Sequence, residues 1–215
     1  MDYTYNANKP GVKDQIVPLA LNACGVRDTA RTLKIAKGTV MRELKKSPAH
    51  KNKYIIDNIE ADNMAKLEVY FVLGTEWDEC WSYVGSKEQQ RWTWYVMERR
   101  SGCILAWRNG RRKEEVLQQL IDEVADLPIV VCHTDDWAAY RKCLPAHWRH
   151  EVGKANTWKI ERKNLNFRTH IKRLQRKTIC FSKNEQIHDN VIGLYIETYY
   201  FKHGVFSAST QTSTQ

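Results

Sequence analysis

Three acidic residues stand where their neighbours give no ordinary reason for a carboxylate. Asp78 lies inside EVYFVLGTEWDECWSYVG, a β-branched and aromatic stretch in which Trp77, Trp81 and Tyr83 surround it. A strand interior disfavours Asp, and a buried carboxylate without a partner is costly. Asp135 directly follows PIVVCHT, a short apolar run, and strand ends are where open α/β sheets present ligand-binding side chains. Glu161 is the single acid in TWKIERKNLNFRTHIKRLQRKT, residues 157–178, which carries eight Lys or Arg. Three such carboxylates at one sheet edge could hold two Mg2+ ions, with Mn2+ as a substitute, about 4 Å apart. A metal pair of this kind activates a water or a 3′-hydroxyl and stabilises the leaving oxygen in phosphodiester transfer. In that arrangement Glu161 faces inward, while Arg162, Lys163 and their neighbours turn toward phosphate.

Each acid also has a plainer reading. Asp78 could sit on a solvated strand face, with Glu76 on the same side and Glu79 on the opposite one. Asp135 could be a turn residue or a helix N-cap, and Asp136 beside it duplicates its chemistry. Glu161 could be a charge at the start of a helix.

The elements that would position these acids follow from periodicity. Glu68 to Gly85, broken at Gly74, then RWTWYVMER and CILAWRN, separated by Ser101-Gly102, read as a three-stranded meander. KEEVLQQLIDEVADL carries Val116, Leu117, Leu120, Ile121 and Val124 on one helical stripe. The PIVVCHT strand, following this crossover helix, suits a buried parallel strand. WAAYRKCL reads as a short helix and HEVGK as a last strand, before a basic helix from Thr157. The order β-β-β-α-β-α-β-α gives an α/β domain, a mixed sheet with flanking helices.

Ahead of it, residues 11–47 read as three short helices. Ile16 to Leu21 form the first, ended by Gly25, and Val26 to Leu33 form the second. Gly38 stops the chain and Thr39 caps a third helix, with Val40 and Leu44 inward. Arg42, Lys45 and Lys46 then face outward, the pattern of a small all-α helix-turn-helix whose last helix enters the major groove of double-stranded DNA. Residues 47–53 read as a linker. The domains expected are therefore 1–53, 54–204 and a disordered polar tail over 205–215.

Charge supports a polyanionic partner. The net +9 divides into +7 over residues 1–53, −4 over 54–150 and +6 over 151–215, and basic flanks bind phosphates by releasing counterions. The six Cys lie at least eleven positions apart, so no Cys-x-x-Cys zinc site exists and free thiols are expected. No signal peptide or membrane-length apolar run is visible, and a cytoplasmic protein with no membrane contact is expected.

From Lys9 to Tyr200 the sequence resembles bacterial insertion-sequence-one family transposases, members of the ribonuclease-H-like DDE superfamily. The motifs that carry the resemblance are GVRDTARTLKI, DECWSYVGSK, HTDDWAAY, IERKNLNFRTHIKRLQRKTICFSK and IHDNVIG. Matched motif by motif, it implies a ribonuclease-H-like fold with Asp78, Asp135 and Glu161 as the catalytic, metal-binding triad. Asp136 stands where relatives have Gly, and the Thr-Asp-x-Trp register favours Asp135. The resemblance implies an enzyme that binds terminal inverted repeats, frees 3′-hydroxyls by cleavage and joins them to target DNA. Arg168, on the Glu161 face after two turns, would contact DNA, with Lys172 next, and Arg173 belongs to the same basic surface. Asn164 and Asn166 would touch DNA or order the helix. Asp189, beside His188, would support the metal site or serve the helix. Paired-end chemistry implies a homodimer or larger assembly on DNA. Longer members carry a Cys-rich zinc-binding segment ahead of the helix-turn-helix, which this sequence does not contain. Two other readings keep part of the machinery: a regulator that occupies DNA ends without chemistry, and a metal nuclease that cleaves without joining.

Overall fold

The computed structural model describes residues 5–52, 72–153 and 157–201. Apolar residues at helical spacing fold the N-terminal part into α1 (Ile16–Leu21), α2 (Val26–Leu33) and α3 (Lys37–Leu44). Lys34, at φ +51°, ends α2 in the left-handed conformation. Residues just before the helices secure the turn between α2 and α3. Asn6 Nδ2 donates to the Leu33 carbonyl at 2.6 Å, and the Tyr5 hydroxyl accepts from the Ala36 N–H at 3.1 Å. The third helix begins at Lys37, with Ala36 as its N-cap, rather than at Thr39, and Gly38 lies inside its first turn. The Thr39 hydroxyl is buried and pairs with Tyr5 at 3.0 Å, so it does not cap the helix.

Strand-period residues build the centre. β1 (Val72–Val84) pairs antiparallel with β2 (Ser86–Glu98), and β2 with β3 (Ile104–Gly110). After α4 (Glu114–Val124), β4 (Ile129–Thr134) lies parallel to β1; after α5 (Ala138–Cys143), β5 (Arg149–Val152) lies parallel to β4. The sheet order is β3-β2-β1-β4-β5, with β1 in the middle. Gly74, expected to interrupt the first strand, lies within it.

Helices cover both sheet faces. Leu117, Leu120, Ile121 and Val124 of α4 pack with Trp77, Trp94 and Val96 on one face. On the other lie α6 (Trp158–His170) and α7 (Glu185–Ile196), whose Ile160, Phe167, Val191 and Ile192 pack with Cys80, Tyr95 and Met97. Helix α7 goes beyond the element order read from sequence.

The N-terminal helices share this second core. Asn190 Nδ2 donates to the Leu44 carbonyl at 2.9 Å and Arg173 Nη2 to the Ala20 carbonyl at 3.0 Å. The residues expected as a linker are docked as far as they are described. Asn52 N–H donates to the Leu105 carbonyl at 2.8 Å, and Trp107 N–H to the His50 carbonyl at 3.0 Å, which extends the β3 edge. Pro48 lies so close to α7 that a Cβ on Gly193 would fall 2.3 Å from it. The boundary expected at 53/54 and the tail expected over 205–215 lie outside the described residues. Among the described residues no helix is long and apolar enough to cross a membrane.

Candidate active site

Strand alternation places Glu76, Asp78, Cys80 and Ser82 on the face of β1 that α6 and α7 cover. Glu76 Oε2 accepts from the Ile160 N–H at 2.9 Å, in the first turn of α6. Asp78 Oδ2 accepts from Asn164 Nδ2 at 2.6 Å, and the Arg168 charge, one turn further on, acts on the buried Cys80 thiol. Two strand residues advance about 6.6 Å and four helix residues about 6 Å. Positions 160 and 164 therefore stay in step with 76 and 78 along two successive contacts, and 168 with 80 follows in the same register. The buried Tyr95 hydroxyl, 2.8 Å from Asn164 Oδ1 and 3.0 Å from the Ile160 carbonyl, ties the same helix turn to β2.

Asp135 arrives from the neighbouring strand. Glu76 is level with His133 in the β1–β4 register, so two residues further Asp78, inside β1, and Asp135, just past the end of β4, come to one height. Asp135 Oδ1 accepts from the Trp137 N–H at 3.0 Å, the turn role that its position allows, and Oδ2 lies 3.9 Å from Arg112 Nη2. Asp136 instead turns outward to an exposed ion pair with Arg141. Glu161 sits in the first turn of α6 and is exposed; Ile160, Asn164 and Phe167 occupy the inward face. The inward orientation expected for Glu161 is corrected on this point, because its position is about 100° around the helix from Ile160.

Asp78 nevertheless feels the other two carboxylates. Burial pushes the Asp78 carboxyl up to about 6, and the negative charges of Asp135 and Glu161 push the same way, against the Glu79 N–H and Asn164. All three are hard oxygen donors of the kind Mg2+ and Mn2+ prefer, and a cation beside Asp78 would offset that repulsion, so the donor set fits a divalent ion. Like charges repel, and among the described residues no three acidic, imidazole or thiol groups form a ready-made metal cage.

Glu79, on the opposite strand face, is also far from solvated. Burial pushes it up to about 7, with Asp78 and Asp135 adding to the effect and Arg112 opposing it. Its Oε2 accepts from the Tyr140 hydroxyl at 3.1 Å and its Oε1 from Arg112 Nε at 2.6 Å. Sequence reasoning missed Arg112, Tyr140 and Tyr95. For Arg112 a signal existed: RNGRRK places three cations directly after the third strand.

The expected DNA-contacting residues divide. Arg42, Lys45, Lys46 and Arg162 are exposed. Arg168 and Lys172 are half-buried, with Lys172 in a 3-10 turn beyond the end of α6 rather than on it. Lys163, expected to face phosphate, stacks its ammonium 4.2 Å over the Tyr200 ring. Asn164 holds Asp78, the helix-ordering role. Arg173 turns inward, onto the Ala20 carbonyl and Ser182. Asp189 pairs with Arg91, and His188 is buried between Ser82 and Ser182, so both serve the packing of α7.

A helix-turn-helix docked on a mixed α/β domain, with one acid inside the central strand and another just past the end of its parallel neighbour, is the architecture of the DDE transposase class. Residues 71–202 match the family model described as IS1 transposase, and residues 3–48 match the one described as InsA C-terminal domain. The chain belongs to the IS1 transposase family. It is 44% identical over 126 residues to the insertion element iso-IS1n protein InsB of Shigella dysenteriae, covering 59% of this chain and 95% of that protein. It is 37% identical over 131 residues to the insertion element IS1 protein InsB of Shigella flexneri, covering 61% and 99%. The same identity and length relate it to the insertion element IS1 4 protein InsB of Escherichia coli (strain K12), over 61% and 78%. A chain of the simian T-cell lymphotropic virus intasome in complex with PP2A regulatory subunit B56 gamma is similar at TM-score 0.43 and 12% identity, over 84% of this chain and 67% of that one. That likeness is too remote to carry an argument.

Proposed function

We propose that the chain is a DNA transposase: a metal-dependent polynucleotidyl transferase that binds the terminal inverted repeats of its element, cleaves a phosphodiester at each end to free a 3′-hydroxyl, and joins that hydroxyl to target DNA. Asp78, Asp135 and Glu161 would hold two Mg2+ ions, or Mn2+ in their place. When bound, the pair supplies an activated water or 3′-hydroxyl and a stabilised leaving oxygen. The protein's own part is positional. Asn164 and the Glu79 N–H orient Asp78, the Trp137 N–H orients Asp135, and Glu76 secures the first turn of α6, from which Glu161 projects. The exposed cations of α3 and its C-terminal end would hold one length of duplex, with Arg162 and Arg168 beside the acids. A homodimer or larger assembly would bring two ends together.

One observation carries the reading: Asp78 and Asp135 come level on neighbouring parallel strands beside the first turn of α6, and burial together with the charges of Asp135 and Glu161 pushes the Asp78 carboxyl up. Asp135→Asn should abolish Mg2+-dependent cleavage and joining while leaving binding to element-end DNA intact. Retained cleavage in that variant sinks the site. A wild-type footprint that survives EDTA, with no nicked product at any Mg2+ or Mn2+ concentration, would make the chain a DNA-binding regulator instead.

A further inference from the structure

Arg112 lies in the loop from β3 to α4 and is held more firmly than a surface cation needs to be. Its Nε donates to Glu79 Oε1 at 2.6 Å, and Nη2 lies 2.6 Å from the same oxygen. Its guanidinium carbon sits 5.2 Å from the Trp92 ring centre and 5.0 Å from that of Trp137. The Tyr140 hydroxyl holds the other Glu79 oxygen, so the anchor is itself fixed. Nη2 also lies 3.9 Å from Asp135 Oδ2, and among the described residues nothing engages Nη1.

A cavity of about 690 Å3 opens at this point, with Arg112, Asp135, Trp137, Arg141 and Gly153 in its wall. Its other guanidinium, Arg141, is exposed and paired with Asp136. Glu79 would need only a counter-ion. Two indoles and a place beside a second carboxylate instead fix the plane of a fork whose remaining N–H groups suit phosphate oxygens.

We propose that Arg112 is a substrate-binding residue that grips a phosphodiester oxygen of the DNA strand lying in this cavity, next to the linkage presented to Asp135. The proposal rests on the transposase reading and adds a contact that the three acids do not supply.

The test uses duplexes bearing the element's own end, with a neutral methylphosphonate at one linkage at a time around the cleavage site. One such linkage should slow wild-type cleavage about 10- to 100-fold, the worth of one hydrogen bond to a charged group. It should add nothing to the slower cleavage of Arg112→Ala. Binding measured in EDTA should show the slope of log affinity against log salt reduced by about 0.9 in Arg112→Ala, one phosphate contact. Arg112→Lys keeps a charge for Glu79 but not the fork; it should keep the salt slope and show a smaller penalty at that linkage. Equal methylphosphonate penalties in wild type and both variants, or an unchanged slope in Arg112→Ala, overturn the proposal. If Arg112→Ala does not fold, the Arg112→Lys scan decides alone. A wild type that binds ends and cleaves nothing defeats the transposase reading instead, and the salt slope still judges Arg112.

Discussion

The same face of one strand carries two buried polar clusters that end differently. At Ser82, both hydroxyls and the imidazole find partners. The Ser82 hydroxyl donates to the Arg91 carbonyl at 2.6 Å and meets His188 Nε2 at 3.0 Å, while His188 Nδ1 lies 2.8 Å from the Ser182 hydroxyl. Arg91 pairs with Asp189 alongside, although burial still pushes that carboxyl up. Four residues earlier, at Asp78, hydrogen bonds from Asn164 and the Glu79 N–H leave the local negative charge in excess. Glu76 and Asp78, with Glu79 behind them on the opposite face, are all pushed up, chiefly by burial, and Glu76 Oε1 is buried without a hydrogen bond. The nearby guanidiniums of Arg99 and Arg112 offset only part of that charge. A closed network specifies the docking of α7. The one at Asp78 gathers several partly offset acids, which is what the proposed metal site would need.

Mutating the two clusters should therefore move different quantities. Asp78→Asn should bring strand cleavage to the level without enzyme, yet leave the melting temperature unchanged or raised above pH 7, because it removes a desolvated charge. Arg91→Ala should do the reverse. It strands Asp189 and should cost about 2–3 kcal/mol, below the 3–5 of a fully buried pair because a fifth of each side chain is exposed. Cleavage at temperatures where the variant stays folded should persist. Thermal melts and cleavage assays on both variants check this, and a swapped pattern would break the contrast.

Asn164→Ala probes the link between the acids and their scaffold. Removing the side chain that fixes Asp78 should raise the Mg2+ concentration for half-maximal cleavage about 10- to 100-fold, the usual effect of losing a residue that orients a ligand. Excess Mn2+ should recover most of the rate. A loss that no metal concentration recovers would mean that Asn164 acts on DNA rather than through Asp78.

Periodicity exposed what depends on one chain segment at a time. The meander, the crossover helix, the parallel strand and the basic helix all follow from period 2 or 3.6, and so did the placement of Glu76 and Glu79 on opposite faces. What lay hidden depends on what each face meets. That Glu79 is buried against Tyr140 and Arg112 comes from α4 and α5 folding back over the sheet. Glu161 was misplaced because α6 mixes polar residues into its inward face, with Asn164 buried beside Ile160 and Phe167. Helix α7 likewise buries His188 and Asn190, so its polar residues hide its core-facing side. Residues 47–53 are short and polar like a linker, yet the backbone groups of His50 and Asn52 serve the free edge of β3.

The smallest effect is also the most direct measure of the acidic cluster. Asp78 has its folded-state value raised from 3.8 to about 6, and Glu79 from 4.5 to about 7. An acid raised in this way gives stability that is fully present below its unfolded value and is lost as pH rises through the folded one. The acidic cluster thus destabilises the protein progressively between about pH 4 and 7. His188 has the opposite sign. Burial lowers it from 6.5 to about 3, so its contribution is lost as pH falls through that window. A divalent ion binds ionised Asp78 and competes with its proton, so added Mg2+ should raise the melting temperature more at pH 8 than at pH 5. At a hundred times its dissociation constant the rise at pH 8 should be roughly 5–10 °C for a chain of this size. Asp78→Asn should erase the difference between the two pH values, whereas Asp189→Asn should leave it. A Mg2+ shift independent of pH, or one that persists in Asp78→Asn, would place the ion away from Asp78 and leave the two clusters alike.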